Sequence, residues 1–259
     1  MAGSASTPEK SRPMQRYFID QALQPDQLFK ITSEDAHHMK NVMRFRPEDT
    51  FHVVDQKQTT YLCEVAEVSQ DIDCRAISPV DESPELPIEV TIYCPLLKGE
   101  KFDWMIQKAT ELGAHEFLIY EADRSIVRLD DKKRKKRLER FSKIVKEASE
   151  QSRRQVIPHI DFVPAVKNLD FDAYSRLLFA FEGNALNPAK SIQSAMSGVR
   201  HGSRIAFIFG PEGGFSEVET EQLSKHHSIR LGPRILRAET APLYALSAIS
   251  YSFETPASD

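Results

Sequence analysis

The stretch 209–223, FGPEGGFSEVETEQL, places Gly210, Gly213 and Gly214 within five residues of a 259-residue chain that has only ten glycines. Just before it, RIAFIFG (204–210) is apolar almost throughout, the pattern of a strand buried on both faces of a parallel sheet. After it, Ser216 to Glu219 reads S-x-x-E, a capping box that predicts a helix starting at Glu217. Strand, glycine turn and capped helix in that order indicate an α/β fold. The glycines then fall at the carboxyl edge of the sheet, where ligands approach the backbone itself. A nucleotide phosphate is a poor occupant. No G-x-G-x-x-G is formed, no lysine follows, and Glu217, Glu219 and Glu221 sit where the helix start would meet the anion. A bare strand–helix turn would use the same glycines, so the loop needs company to be read as a site.

A second loop supplies it. IRLGPRILRAETAPLYALSAISY (229–251) runs from a short strand through Gly232–Pro233 and Ile235–Leu236 to Arg237, Glu239 and Thr240. Thr240 is placed as N-cap of a last helix from about Ala241 to Phe253, with Pro242 tolerated in its first turn. Small and apolar residues around two mostly neutral loops suit a purine ring and a ribose, and the expected berth is uncharged.

Working outward, EVTIYCPLL, EFLIYEA, QVIPHID and RLLFAFE are further strands of the same sheet. In KFDWMIQKATELG, Phe102, Met105, Ile106, Ala109 and Leu112 share a helical face and Gly113 ends it. Phe102 and Trp104 are both read as core. From Arg124 to Arg154 there are 13 Lys or Arg against 5 Asp or Glu, inside a chain of net charge −4. That basic helix, 131–150, is either a solvated face or a surface turned to a polyanion. Upstream, RYFI, TFHVVD, TYLCEVAEV and DCRAI are short strands interrupted by the helical SEDAHHMKNVM, and a small β-barrel closes so many short strands. The expected organisation is a disordered tail over 1–13, a β-rich domain over 14–80, a proline-rich acidic linker over 81–87 and an α/β domain over 88–255. Three cysteines without C-x-x-C spacing indicate neither a disulfide framework nor zinc, and the expected compartment is the reducing cytoplasm. No apolar run reaches the roughly 18 residues of a membrane span, and no metal is expected.

FIFGPEGGFSEVE followed by LGPRILRAETA resembles the signature of the bacterial 16S ribosomal RNA uridine-N3 methyltransferases, a branch of the SPOUT superfamily. HHMKNVMR (37–44), the KATELG helix and EASEQSRR (147–154) are similar to further motifs of that family, so the resemblance spans Gln15 to Tyr251. The chain departs from the family at Arg153, where a glycine is common, and in its N-terminal tail. The resemblance implies a PUA-like RNA-binding barrel, then a trefoil-knotted SPOUT domain holding S-adenosylmethionine, working as a homodimer. It places Leu178, Phe179, Gly210, Glu212, Gly213, Gly214, Leu231, Gly232, Ile235, Leu236, Arg237, Thr240 and Ala241 around the cofactor. The implied partner is ribosomal RNA or the small ribosomal subunit. A non-catalytic RNA-binding assembly factor with a vestigial pocket is the alternative.

Methyl transfer to uridine N3 removes a proton and spreads negative charge onto O2 and O4. Arg237 is the cation expected to face that charge, unless it merely pairs with Glu239. Glu239 either orients Arg237 or receives the proton, and Glu212 is a further candidate. Arg16, His38 and Arg44 in the first domain, and Lys98, Lys101, Lys108, Arg124, Arg128, Arg153 and Arg154 in the second, are expected along RNA phosphates.

Overall fold

The computed structural model describes residues 14–125, 129–181 and 189–254; the tail 1–13 and Arg128 lie outside them. The chain divides between Ser83 and Pro84 into two units.

The first unit holds β1 (Arg16–Phe18), β2 (Leu28–Ile31), α1 (Ser33–His37), β3 (Thr50–Val54), β4 (Thr60–Val68) and β5 (Ile72–Pro79). They form one sheet in the order β1-β3-β4-β5-β2, parallel at β1–β3 and antiparallel elsewhere. Alternation puts Tyr17, Phe29, Phe51, Val53, Val65, Ile72 and Cys74 into one core. Met39 joins them from a π-type turn, His38–Val42, that follows α1. Asp55 shapes the β3–β4 connection by accepting from the backbone N–H groups of Lys57 and Thr59, at 2.8 and 2.9 Å, and of Leu23 at 3.0 Å. β2 goes unpredicted because four residues, Leu28 to Ile31, are too few for their alternation to stand out.

Of the three RNA contacts expected in this unit, Arg16 is buried and His38 is half-buried. Arg16 is 3% exposed and paired with Glu82. The His38 ring is bonded to the Tyr17 hydroxyl at 2.9 Å through Nδ1. Arg44 alone of the three is exposed.

The second unit contains β6 (Glu89–Pro95), α2 (Lys101–Glu111), β7 (Glu116–Tyr120), α3 (Asp131–Gln151), β8 (His159–Val163), β9 (Arg176–Ala180), β10 (Lys190–Ser191), α4 (Ile192–Met196), β11 (Arg204–Ile208), α5 (Glu217–Leu223), β12 (His227–Arg230) and α6 (Ala241–Glu254). The seven strands lie in the order β10-β12-β9-β11-β6-β7-β8, and every ladder is parallel. β11 sits between β6 and β9 although β7 to β10 intervene in the chain, so the strand order reverses there. Reversal points of this kind are where open α/β sheets leave a crevice at their carboxyl ends. Ile205 to Ile208 are fully buried, as the apolar run predicts. Phe102, Met105, Ile106 and Ala109 of α2 are likewise at 0%. Trp104 is not core: it is 47% exposed. Two residues along a helix is about 200° around it, so Phe102 and Trp104 cannot share a face.

The carboxyl end of α3 shows how Arg153 is accommodated. Arg153 N–H donates to the Glu150 carbonyl and Arg154 N–H to that of Ser149 at 2.9 Å, which is a Schellman ending with Arg153 at its left-handed position, φ 59°. An L-residue with Cβ pays roughly 1–2 kcal/mol there, part of which a glycine returns as unfolded-chain entropy. Arg153→Gly is therefore expected to raise stability by about 0.5–1 kcal/mol, read as a higher denaturant midpoint.

Arg154 follows and turns inward. It is 3% exposed, donates to the carbonyls of Thr110 at 3.1 Å and Ala114 at 2.5 Å, and forks onto Glu85. Glu85 Oε1 also accepts from the N–H groups of Gln155 and Val156, at 2.8 and 3.1 Å. The beginning of the second unit, expected as linker, is thus fixed to the turns that follow α2 and α3. Arg154 is a structural cation, not one free for phosphate. Leu86 lies where a Cβ at Gly113 would come within 2.7 Å, so the turn after α2 admits only glycine.

Candidate active site

At the carboxyl ends of β9, β11 and β12 the two loops enclose a cavity of about 1300 Å³. That exceeds the roughly 300–1,000 Å³ usual for a small-molecule site, leaving room for a cofactor and part of a second reactant. Its deep wall is apolar: Phe179, Phe209, Phe215, Ile229 and Leu231. Gly210 brings the backbone against the Phe215 ring, where a Cβ would meet ring atoms at 3.4 Å. Gly214 and Gly232 have φ of 69° and 94°, the left-handed region that favours glycine, and space is open beyond Gly214.

Several anchors hold the first loop. The Ser216 capping box forms as predicted: Ser216 Oγ accepts from Glu219 N–H at 3.1 Å, and Glu219 accepts from Ser216 N–H at 2.8 Å. Glu219 also accepts from Asp123 N–H at 3.0 Å, fastening the loop to the segment after β7. Tyr120, its phenol pushed well above the usual range by burial, stays a donor and bonds the Phe209 carbonyl at 2.8 Å. The loop is therefore preorganised by its own capping box and by β7 with the segment that follows it.

Of the residues expected around the cofactor, Phe179, Gly210, Glu212, Gly214, Leu231, Gly232, Ile235, Leu236, Arg237 and Ala241 line the cavity. Leu178, Gly213 and Thr240 do not. Leu178 is fully buried in the core, because neighbouring positions of a strand face opposite ways. Gly213 packs on Arg124 instead, whose Nη1 donates to its carbonyl at 3.1 Å. Thr240 immediately precedes α6, and its carbonyl accepts from Tyr244 N–H at 3.1 Å.

The expectation of an uncharged berth fails at the rim. Lys101, Arg124, Arg230, Arg234 and Arg237 stand there with Glu212, Glu217, Glu221 and Glu239. Lys101 reaches it because α2 packs on α6, and its Nζ lies 3.6 Å from Glu239 Oε1. Glu239 is thus held by Lys101 and not by Arg237. Its Oε2 is buried and has no hydrogen-bond partner among the described residues. Arg237 is exposed on the cavity wall, and no ion pair engages its side chain among the described residues. Ser228, Arg230 and Arg234 were missed; only the three-dimensional pairing of β12 with β9 brings the first two to the cavity. Of the remaining expected RNA contacts, Lys98, Arg124 and Arg153 are exposed, while Lys108 pairs with Glu111 at 2.7 Å. Among the described residues no cluster of His, Cys, Asp and Glu could hold a metal, and no helix is long and apolar enough to cross a membrane.

An RNA methyltransferase domain model matches residues 84–250, and an RNA methyltransferase PUA domain model matches 31–74. The ribosomal RNA small subunit methyltransferase E of Bacillus subtilis is 46% identical over 93% of this chain and 98% of its own length. The crystal structure of a ribosomal RNA small subunit methyltransferase E from Neisseria gonorrhoeae, bound to S-adenosyl methionine, superposes with TM-score 0.80 at 25% identity, covering 93% of this chain and 98% of that one. A Legionella pneumophila chain solved with bound SAM gives TM-score 0.81, again at 25% identity over 93% and 98%. The likeness takes in both units and both glycine loops, and this chain belongs to the ribosomal RNA small subunit methyltransferase E family.

Proposed function

We propose that this protein transfers the methyl group of S-adenosylmethionine to N3 of a uridine in 16S ribosomal RNA, acting in the cytoplasm as a homodimer. The observation that carries the reading is the open cavity built by two glycine loops at the reversal point of the sheet. Its features suit the cofactor. The apolar wall at Phe179, Ile229 and Leu231 matches a purine, and the open side of Gly214 lets a ligand touch backbone. The unpartnered Glu239 Oε2 would accept from a ribose hydroxyl or an ammonium. When bound, the cofactor supplies a methyl group on a sulfonium. To Arg237, exposed on the cavity wall, we assign stabilisation of the charge that develops on uracil O2 or O4. Glu212 is exposed on the same wall without a side-chain partner among the described residues, which leaves it freer than Glu239 to take the N3 proton. The insertion of β11 between β6 and β9 is consistent with a threaded, trefoil chain path. Exposed Tyr244 and Tyr251, on α6, are the apolar surface we assign to the dimer. Arg44 in the first unit, and Lys98, Lys101 and Arg124 in the second, are the cations proposed for RNA phosphates.

The test is transfer of labelled methyl from S-adenosylmethionine to methylation-deficient small subunits, followed by locating the label at uridine N3. Label on protein only, or none, would leave an RNA-binding assembly factor, which the intact glycines do not favour. Gly214→Val serves as the site control. A β-branched residue at φ 69° is strained, and its side chain enters the open cavity. Cofactor affinity is expected to fall at least tenfold by calorimetry, with little loss of secondary structure by circular dichroism. Unchanged affinity would move the cofactor elsewhere.

A further inference from the structure

The basic helix α3 carries a set of lysines that its own packing does not use. Its buried face is Phe141, Val145, Ala148 and Ser149. Lys132, Lys135 and Lys136 lie away from that face and are exposed, and Lys132 stands three and four residues before the other two, so it repels both. Lys132 also stands in the first turn, where the helix dipole disfavours cations. Neighbouring cations of the same helix are partnered: Lys133 with Asp130 at 3.1 Å, Arg134 with Glu121, and Arg140 with Asp103 of α2. No ion pair engages Lys132, Lys135 or Lys136 among the described residues. Glu139 lies one turn further along the helix and pairs with neither Lys135 nor Lys136. No ion pair among the described residues rewards this arrangement. A polyanion does, by replacing mutual repulsion with three charge-assisted contacts.

We propose that Lys132, Lys135 and Lys136 of α3 form a docking surface for the RNA phosphate backbone, separate from the cavity and from the cations assigned to its rim. This rests on the reading that RNA is the substrate. The surface supplies sequence-independent affinity and orientation, not chemistry. Its signature is the salt dependence of binding, because each phosphate neutralised contributes about 0.7–0.9 to the slope of log affinity against log salt.

The experiment measures binding of a synthetic RNA hairpin by the full chain and by a Lys132→Glu/Lys135→Glu/Lys136→Glu variant across a salt series, alongside thermal melting. The expected slope is shallower by about 2–3 in the variant, with cofactor affinity unchanged and a melting temperature equal to or above that of the parent. A Gln triple variant guards against new repulsion by the glutamates and is expected to show the same change of slope. An unchanged slope in both variants overturns the proposal, and so does a variant that melts lower, since the lysines would then serve the fold. Methyl transfer by the unaltered protein is followed in parallel. Transfer with an unmoved slope removes this surface alone, whereas no transfer to RNA removes the catalytic reading and leaves the slope to decide the surface by itself.

Discussion

Arg154→Ala is expected to destabilise the protein by about 3–5 kcal/mol, the range for removing one partner of a buried ion pair. The Arg154 side chain is 3% exposed and that of Glu85 is 22%, so the lower end of that range is the better expectation. Three losses combine. Glu85 keeps its charge without its fork, the Thr110 and Ala114 carbonyls lose their donor, and the packed guanidinium leaves a void. Glutamine at position 85 keeps one side-chain oxygen to accept from the Gln155 and Val156 N–H groups and from Arg154, so Glu85→Gln should cost less than the loss of Arg154. Replacing both partners by Met and Leu should be milder than Arg154→Ala, since no orphaned charge remains. Chemical denaturation followed by circular dichroism reads the midpoints, with the two units watched for separate transitions. A change below about 1 kcal/mol for Arg154→Ala would mean that water reaches the pair.

Why that pair escapes a reading of the sequence is a matter of range. Capping boxes, helix faces and glycine stops are set by neighbours three or four positions apart, so Ser216–Glu219, the Phe102 face and Gly113 are legible in the chain itself. Arg154 and Glu85 are 69 positions apart, and a charge in a string of letters does not say whether it will be buried. Arg16 with Glu82 fails for the same reason, 66 positions apart. The glycine loops reveal the cavity's location because backbone freedom is a local property. Its rim charges are invisible there, since Lys101 arrives on α2 from more than a hundred positions away and meets Glu239 only through the packing of α2 on α6. Gly213 shows the limit of reading glycines as ligand contacts. Its missing Cβ makes room for Arg124, a neighbour from another loop. Trp104 is a different failure, because helical geometry already separates it from Phe102 and the angle alone would have put it outside.

Arg237→Ala is expected to lower kcat/KM by about 10²–10³, the cost of removing one preorganised group that meets developing charge. Cofactor affinity should change by less than threefold. The contrast follows from how the residue is held. Its backbone carbonyl accepts from Thr240 and Ala241 N–H, at 2.9 and 3.1 Å, so the chain path into α6 survives truncation of the side chain. The side chain itself, exposed on the cavity wall and without an ion pair among the described residues, is free to meet a second reactant. Had it been paired with Glu239, substitution would have released that carboxylate and disturbed the pocket; Glu239 is instead engaged by Lys101 at 3.6 Å. Arg237→Lys separates charge from shape. A point charge on a flexible stem should restore part of the rate if electrostatic stabilisation is the role, and little if the planar fork must span two uracil oxygens. Single-turnover methyl transfer together with calorimetric titration of the cofactor distinguishes these outcomes. A variant that loses cofactor affinity in step with rate would make Arg237 a binding residue and pass the charge-stabilising role to another rim cation, Arg124 or Arg234.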